Sequence, residues 1–248
     1  MTPSKNVNQE NMNLPSPLRT EAFLKSVLEL RPQLAVFDCD GTLWPGDAGA
    51  GFFEWELSRG VVSDEIVRWA RARYADYLAG KVSEDDMCAE MVTMNRGLSE
   101  GEVEREAAPF FEATIARDIF PDMKALVLDL QALGCEVWAV SSTSEWVIRA
   151  GMKAFGIPPD RVLAAAVTVE DGRITDKMIR VPSGKGKPQA ILEVIARTPD
   201  AVFGNSIWDA DMLEIARHPF AINPTPELVK IARGKRWPVY FPNSVVAL

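Results

Sequence analysis

The sequence predicts an α/β protein with a doubly wound parallel sheet and an inserted all-helical cap. Helical and strand-like patterns alternate after residue 118, which is typical of a parallel sheet covered on both faces. A strand-like run at 34–37 is followed instead by a purely helical stretch, which indicates an insert. With 248 residues, 47% of them hydrophobic, the chain can bury one core and a smaller second domain.

These patterns divide the chain into a tail, a two-part core domain and a cap domain. The predicted bounds are 1–16 for a loose polar tail, 17–44 and 119–248 for the core, and 45–118 for the cap. The core begins with a helix at 17–30, and Arg31-Pro32 leads from this helix into the strand at 34–37.

The cap is expected to contain three helices. Each follows a serine that can accept a hydrogen bond from the first turn, and two of them end at a glycine. The serines are Ser63, Ser83 and Ser99, and the glycines are Gly80 and Gly97. Helical spacing predicts that most aromatic residues here form the core of the cap, namely Trp44, Phe52, Phe53, Trp55, Trp69, Tyr74 and Tyr77.

The second part of the core is expected to alternate helices and strands. Asp171-Gly172 predicts the turn of a hairpin, since this dipeptide favours two-residue turns. In chain order the predicted elements are helix 121–134, strand 135–140, helix 144–156, hairpin 164–179, helix 187–198, strand 200–204, helix 209–217, strand 218–223 and helix 227–235.

Composition excludes several classes of partner. A net charge of -8 argues against nucleic acid and anionic membranes, since both are bound by clustered Lys and Arg. The three cysteines, Cys39, Cys88 and Cys135, lack CxxC spacing and predict reduced thiols. The N-terminal stretch has no apolar signal region and no later run is long enough to span a membrane, so we expect a cytoplasmic protein.

The stretch VFDCDGTLW at 36–44 places two carboxylates, Asp38 and Asp40, just after the first strand. Side chains two apart on a strand share a face, so the two charges would repel unless the chain turns or a cation lies between them. Either aspartate alone could be an ordinary turn residue. Together they indicate a metal or catalytic site.

Polar residues also follow the later strands, and ligands of doubly wound sheets bind outside the carboxyl ends of the strands. Each group has a structural alternative, because serines cap helices, lysines lie on surfaces and acids stabilise helix N-termini. Their joint position at one edge favours a functional site. The residues are Ser141 and Ser142 after 135–140, Lys187 before the next helix, and Asn205 and Asp209 after 200–204.

This set suits phosphoryl transfer. One aspartate can attack phosphorus and form an aspartyl-phosphate, while the second protonates the leaving alkoxide and then deprotonates water. A magnesium ion can shield the anionic nucleophile from the anionic phosphate. Hydroxyls, backbone amides and a lysine can hold the phosphoryl oxygens.

The motifs resemble those of the haloacid dehalogenase-like superfamily, within it the phosphoserine-phosphatase-like branch, over about residues 34 to 240. DCDGT, VSST, the lysine before a helix and GNSIWDADML are similar to its four motifs, in order. The resemblance implies a Rossmann-like core, a cap of the helical type and Mg²⁺. It implies Asp38 as nucleophile and Asp40 as acid and base. The implied phosphate ligands are Thr42, Ser141, Ser142 and Lys187, and the implied metal ligands are Asp38, Asp40, Asn205 and Asp209.

One position departs from the family pattern. The family usually carries aspartate where this chain has Asn205, so we expect weaker Mg²⁺ binding. Asp40 favours a phosphatase over a dehalogenase, since halide leaves without a proton. A phosphomutase would share this machinery, and Asn205 keeps open a non-catalytic phosphate-binding pseudo-phosphatase.

The expected substrate is a small phosphorylated metabolite. In the phosphoserine phosphatases that the chain resembles, an acid nine positions after the nucleophile faces the substrate ammonium, and Asp47 matches it. Met91 stands where those enzymes carry the arginine that binds the carboxylate. This favours an amine-bearing ester of the phosphoethanolamine or phosphocholine type over phosphoserine. The alternative is that Asp47 caps a loop and Arg96 supplies the charge. The sequence leaves the metabolite, pathway, cap motion and oligomeric state open.

Overall fold

The structure of the protein is a computed structural model that describes residues 19–246. The tail predicted at 1–16 lies outside the described residues. A single seven-stranded sheet, in the order β4-β3-β2-β1-β5-β6-β7, forms its centre. The strands are β1 Leu34–Phe37, β2 Glu136–Ser144, β3 Val162–Glu170, β4 Arg173–Arg180, β5 Ala201–Gly204, β6 His218–Ile222 and β7 Val239–Tyr240.

The helices cover both faces of this sheet and fill the interval between β1 and β2. Short 3₁₀ turns at Ala116–Asp118, Lys153–Phe155, Pro159–Arg161 and Ile207–Asp209 complete the description. The α-helices are α1 Thr20–Leu28, α2 Ala48–Arg59, α3 Asp64–Leu78, α4 Glu84–Thr93, α5 Glu100–Thr114, α6 Pro121–Ala132, α7 Glu145–Met152, α8 Gly186–Val194, α9 Ala210–Glu214, α10 Pro226–Lys235 and α11 Asn243–Val246.

The predicted doubly wound sheet is confirmed. Every strand pairs in parallel with its neighbours except β4, which pairs antiparallel with β3 as the predicted hairpin. The chain moves outward from β1 in both directions, so the order reverses at β1, whose Phe37 lies opposite both Ala139 and Phe203. The carboxyl end of β1 is therefore the switch point where such sheets bind ligands.

Side-chain alternation along the short central strand builds two separate cores. Ala35 and Phe37 pack on one face with α1, α6 and α7, whereas Leu34 and Val36 pack on the other face with α8, α9 and α10. All four residues are buried, as expected for a strand of a parallel sheet. This two-sided burial fixes the register of β1 and with it the position of the aspartates that follow.

The stretch 45–118 is helical, as predicted, but it contains four α-helices where three were expected. The additional helix is α2, whose cap is Asp47 and not a serine. The predicted serine caps are present: Ser63 and Ser83 each accept a hydrogen bond from their helix, and the backbone of Ser99 bonds to Glu102. The domain bounds at 45–118 stay a prediction.

Several features of the insert and the cysteines match the sequence analysis. Phe52 and Phe53 are buried, whereas Trp69 is 42% exposed. Gly80 and Gly97 adopt the left-handed backbone that ends a helix. All three cysteines are free thiols. Within residues 19–246 the structure contains no helix with the length and apolar character that crossing a membrane requires.

Candidate active site

A cavity of about 220 Å³ lies at the carboxyl edge of the sheet, between β1, β2 and the insert helices α2, α3 and α4. It brings together polar residues from all the strand ends singled out in the sequence. Those that line it are Asp38, Asp40, Asp47, Ser141, Ser142, Lys187 and Asn205. Thr42 and Asp209, the other two predicted site residues, lie directly behind this wall.

Asp38 lies at the base of the cavity and is 5% exposed. Its Oδ1 accepts a hydrogen bond from Lys187 Nζ at 2.6 Å, and its Oδ2 accepts one from Thr42 Oγ1 at 3.0 Å. Burial and the neighbouring Asp209 raise the pKa of Asp38 above its ordinary value, against the opposing effect of Lys187. Thr42, predicted to contact phosphate, is buried and orients Asp38 in this structure.

Asp40 is held by different donors from those of Asp38, and the chain turns directly after it, where Gly41 is in the left-handed conformation. Three donors hold its carboxylate: Trp44 Nε1 at 2.7 Å and the Ala48 N–H at 2.9 Å to Oδ1, and Thr143 Oγ1 at 2.8 Å to Oδ2. Burial and then Asp47 raise the pKa of Asp40 to about 6, although these hydrogen bonds oppose the shift. Asp40 therefore titrates closer to neutral pH than an ordinary aspartate does.

Lys187 joins Asp38 to Asp209. Its Nζ lies 2.6 Å from Asp38 Oδ1 and 2.5 Å from Asp209 Oδ1, and the side chain is almost fully buried. Burial alone would lower the pKa of Lys187, but Asp209 and Asp38 raise it, so the lysine is charged. An ammonium has three donors, so one N–H is left for a ligand in the cavity.

Asp209 is completely buried and anchors the loop after β5. Its Oδ2 accepts hydrogen bonds from the backbone N–H groups of Asn205 and Ser206, each at 2.9 Å, and from the Ser206 hydroxyl. Its other oxygen is bound by Lys187. Both oxygens of this predicted metal ligand are thus engaged by protein donors.

The serine run lies in β2 and not at the start of α7, because the strand continues to Ser144. Ser141 is buried in the cavity wall, and its Oγ accepts the N–H of Thr143. Ser142 also lines the cavity. The last strand residues therefore present hydroxyls to the same space as Asp38.

Asn205 packs against the turn after β1. A Cβ built on Gly41 would lie only 1.8 Å from Asn205 Nδ2, so any side chain at position 41 would displace the amide. Gly41 also has a φ of +76°, which favours glycine. This close approach places an amide oxygen and the Asp38 carboxylate in the wall of one cavity.

The residues fit a hard cation chemically. Carboxylate and amide oxygens are the ligands that Mg²⁺ prefers. Two buried carboxylates, Asp38 and Asp209, and the partly buried Asp40 accompany one buried ammonium, so a cation would offset the excess negative charge. No three His, Cys, Asp or Glu side chains of the described part of the chain form a metal centre by themselves.

Asp47 has two roles in the structure. It lines the cavity, and its Oδ1 accepts the Ala50 N–H at 2.8 Å as the cap of α2. The capping alternative is therefore real, and its predicted contact with an ammonium stays a prediction. Arg96 is paired with Asp176 and does not line the cavity, whereas Met91 does.

Sequence reasoning missed the residues that support the site. Thr143 and Trp44 orient Asp40, and Glu56 lies in the cavity wall. Thr143 stands in the hydroxyl run that was noted, but its partner is 103 positions away in the chain. The i, i+3, i+4, i+7 spacing of Gly49, Phe52, Phe53 and Glu56 could have identified the lining face of α2.

A doubly wound sheet with paired aspartates at its switch point defines an α/β enzyme whose chemistry lies at the carboxyl edge of the sheet. The sequence model for haloacid dehalogenase-like hydrolases matches residues 35–214. The chain belongs to this family of hydrolases, and the resemblance found in its motifs is confirmed.

Known proteins extend this likeness over most of the chain. A histidinol-phosphatase of Neisseria meningitidis serogroup C (strain 8013) is 29% identical over 216 residues, covering 83% of this chain and 97% of that protein. The crystal structure of a Bordetella pertussis Tohama I protein of unknown function has a TM-score of 0.74 at 23% identity, covering 84% of this chain and 97% of the other.

A phosphoserine phosphatase solved as a phospho-aspartyl intermediate analogue shares the fold more distantly. Its TM-score is 0.54 at 16% identity, and the match covers 85% of this chain and 93% of that one. At this identity the likeness concerns the fold alone.

Proposed function

We propose that this chain is a Mg²⁺-dependent phosphatase that hydrolyses a phosphomonoester of a small metabolite through a phosphoryl group on Asp38. The observation that carries the proposal is that the two aspartates are held by different sets of hydrogen-bond donors. Asp38 is fixed by Lys187 and Thr42, whereas Asp40 is held by three other donors. Family membership and the name of the Neisseria relative support the same class of reaction.

In the first step an Asp38 oxygen attacks phosphorus and the bond to the leaving alcohol breaks, while Asp40 donates its proton to the departing oxygen. In the second step water attacks the aspartyl-phosphate, Asp40 takes the water proton, and Asp38 leaves as a carboxylate with release of inorganic phosphate. The remaining N–H of Lys187, the Ser141 and Ser142 hydroxyls and nearby backbone amides would hold the phosphoryl oxygens.

Mg²⁺, when bound, would reduce the repulsion between the carboxylate nucleophile and the phosphate dianion. The side-chain oxygens of Asp38 and Asn205 would hold it, since both residues line the cavity. Ligation by the carboxylates of Asp40 and Asp209, also predicted, would require their present hydrogen bonds to rearrange.

We propose an amine-bearing ester without a carboxylate as the substrate class. Among the lining residues Lys187 is the only one with a basic, positively charged side chain, and it is already paired with two aspartates. Away from the cavity base the wall instead carries Asp47, Glu56 and Glu84. The Neisseria relative is named for histidinol phosphate, an ester with an amine and an imidazole but no carboxylate. Phosphoserine fits this wall less well, because its carboxylate would meet like charge.

A second candidate, a phosphate-binding pseudo-phosphatase, is favoured by Asn205 alone. Colorimetric assays of p-nitrophenyl phosphate and histidinol phosphate, with and without Mg²⁺, separate the two. The phosphatase proposal expects Mg²⁺-dependent release of phosphate that Asp38→Asn abolishes without loss of folding. Absence of turnover in the wild type at any Mg²⁺ concentration would favour the pseudo-phosphatase.

A further inference from the structure

Glu56 is a buried acid in the cavity wall with an unused hydrogen-bond acceptor. It is 1% exposed and lines the cavity from the same face of α2 as Phe52 and Phe53. Its Oε1 accepts no hydrogen bond from any residue that the structure describes. Buried carboxyl oxygens are rarely left in this state, since desolvation without a partner is costly.

Asn95, which follows α4, lies beside Glu56 and also has buried polar atoms without a hydrogen-bond partner among the described residues. It is completely buried, and neither its Oδ1 nor its Nδ2 forms a hydrogen bond within residues 19–246. Two adjacent polar side chains from different segments of the insert thus have incomplete hydrogen bonds: Glu56 lines the cavity, and Asn95 is not among the lining residues. A polar ligand group entering the cavity could bond to the Glu56 carboxyl.

The other acids of the wall are already occupied. Asp47 Oδ1 accepts the Ala50 N–H, and Glu84 accepts the hydroxyl of Tyr77. Glu56 is therefore the wall acid with a free, desolvated acceptor.

The position of Glu56 along α2 sets the size of ligand that could reach it. Gly49 packs against Thr143, which holds Asp40, and Glu56 follows seven positions later on the same face, about 10 Å along a helix. A ligand with its phosphate at Asp38 would need a leaving group several bonds long to reach Glu56. Phe52 and Phe53 lie between the two ends, and aromatic faces attract cations.

We propose that Glu56, supported by Asn95, binds a protonated nitrogen at the far end of the leaving group and so selects long cationic phosphomonoesters. This inference rests on the proposed phosphatase function and adds to it the residue that recognises the substrate. Burial raises the pKa of Glu56 well above its ordinary value. A cation beside the carboxyl would favour its charged form and offset that burial.

The test compares kcat/KM of wild type and Glu56→Gln for histidinol phosphate and for p-nitrophenyl phosphate, whose leaving group carries no cation. We expect a loss of about 10–100-fold for histidinol phosphate, as for one charge-assisted hydrogen bond. For p-nitrophenyl phosphate we expect a change within about threefold. Glu54→Gln is the matched control, because Glu54 lies on the same helix but is exposed and paired with Arg71.

Equal losses on both esters, or none on histidinol phosphate, would overturn the assignment, since a purely structural Glu56–Asn95 pair would affect both substrates alike. A binding measurement on the wild type tests the same assignment if the variant folds poorly or if the chain shows no turnover. Histidinol should raise the Tm of the wild type, whereas 3-phenylpropan-1-ol, of similar size and uncharged, should not. No stabilisation by histidinol, or equal stabilisation by both alcohols, contradicts the proposal. If p-nitrophenyl phosphate is not hydrolysed but histidinol still stabilises selectively, the phosphatase function fails and the Glu56 site stands.

Discussion

At the residue scale, Asp40 shows how opposing effects produce a usable proton donor. Hydrogen bonds from Trp44, Ala48 and Thr143 favour its charged form, whereas burial and Asp47 favour the neutral form. The latter prevail, and the pKa rises to about 6. A group with this pKa can give a proton to a leaving alkoxide and take one back from water near neutrality.

Asp40→Asn should therefore lower kcat/KM in proportion to the need of the leaving group for a proton. For an alkyl ester such as histidinol phosphate we expect a loss of about 10²–10⁴-fold. For p-nitrophenyl phosphate, whose phenolate leaves without protonation, the loss should be much smaller. Steady-state kinetics with both substrates checks this through kcat/KM, which reports the transfer to Asp38 and not the later hydrolysis; equal losses in kcat/KM would remove Asp40 from protonation of the leaving group.

Asn205 gives a second prediction at this scale. Asn205→Asp should lower the Mg²⁺ concentration for half-maximal activity by about tenfold. The reason is that a charged ligand oxygen contributes about 1–2 kcal/mol more to the binding free energy of the cation than a neutral one does. Calorimetric titration of Mg²⁺ provides a readout that does not depend on turnover. A half-saturating concentration that is unchanged or higher would mean that Asn205 is not a ligand.

The sequence identified the residues proposed as reactive better than the residues that support them. Asp38, Asp40 and Lys187 follow or precede recognisable strands and helices, so their edge of the sheet could be predicted. Thr143 could not be paired with Asp40 in the same way, because this contact joins distant segments through tertiary packing. The free acceptor of Glu56 likewise depends on how α2 packs beside Asn95.

At the element scale, α2 is the insert helix whose first N–H bonds to Asp40, and it is also the helix that the sequence did not reveal. Two glycines, Gly49 and Gly51, lower its helix propensity. The structure gives them a reason: a Cβ at Gly49 would lie 2.8 Å from Thr143 Oγ1, and one at Gly51 would lie 2.9 Å from the ring of Phe110. Close packing is thus obtained at the expense of local propensity.

Gly49→Ala should favour the isolated helix yet displace the hydroxyl of Thr143 and loosen Asp40. We expect kcat to fall about tenfold, as for the loss of one hydrogen bond to a charged group. Gly101→Ala in α5 is the control, because a Cβ there meets Arg105 at 3.5 Å, an ordinary contact. That variant should gain up to about 1 kcal/mol in stability at unchanged kcat. Full activity in Gly49→Ala would show that the Thr143 position is unimportant.

At the scale of the whole molecule, reversal of strand order at β1 places the first motif between the ends of β2 and β5. The alternating pattern predicted the parallel sheet and the hairpin. It did not predict the short β7 or the extension of β2 to Ser144, since two-residue strands and polar strand ends lack an apolar pattern. Strand order depends on pairing between distant segments, which local periodicity does not contain.

The central claim is that the phosphoryl group is transferred to Asp38, and trapping it there is the most direct measurement. Turnover of histidinol phosphate or p-nitrophenyl phosphate is quenched in acid, the protein is reduced with borohydride, and the peptide containing residue 38 is analysed by mass spectrometry. An aspartyl-phosphate at Asp38 predicts conversion of that residue to homoserine, dependent on substrate and absent in Asp38→Asn. Reduction at another residue, or none during active hydrolysis, would contradict the account.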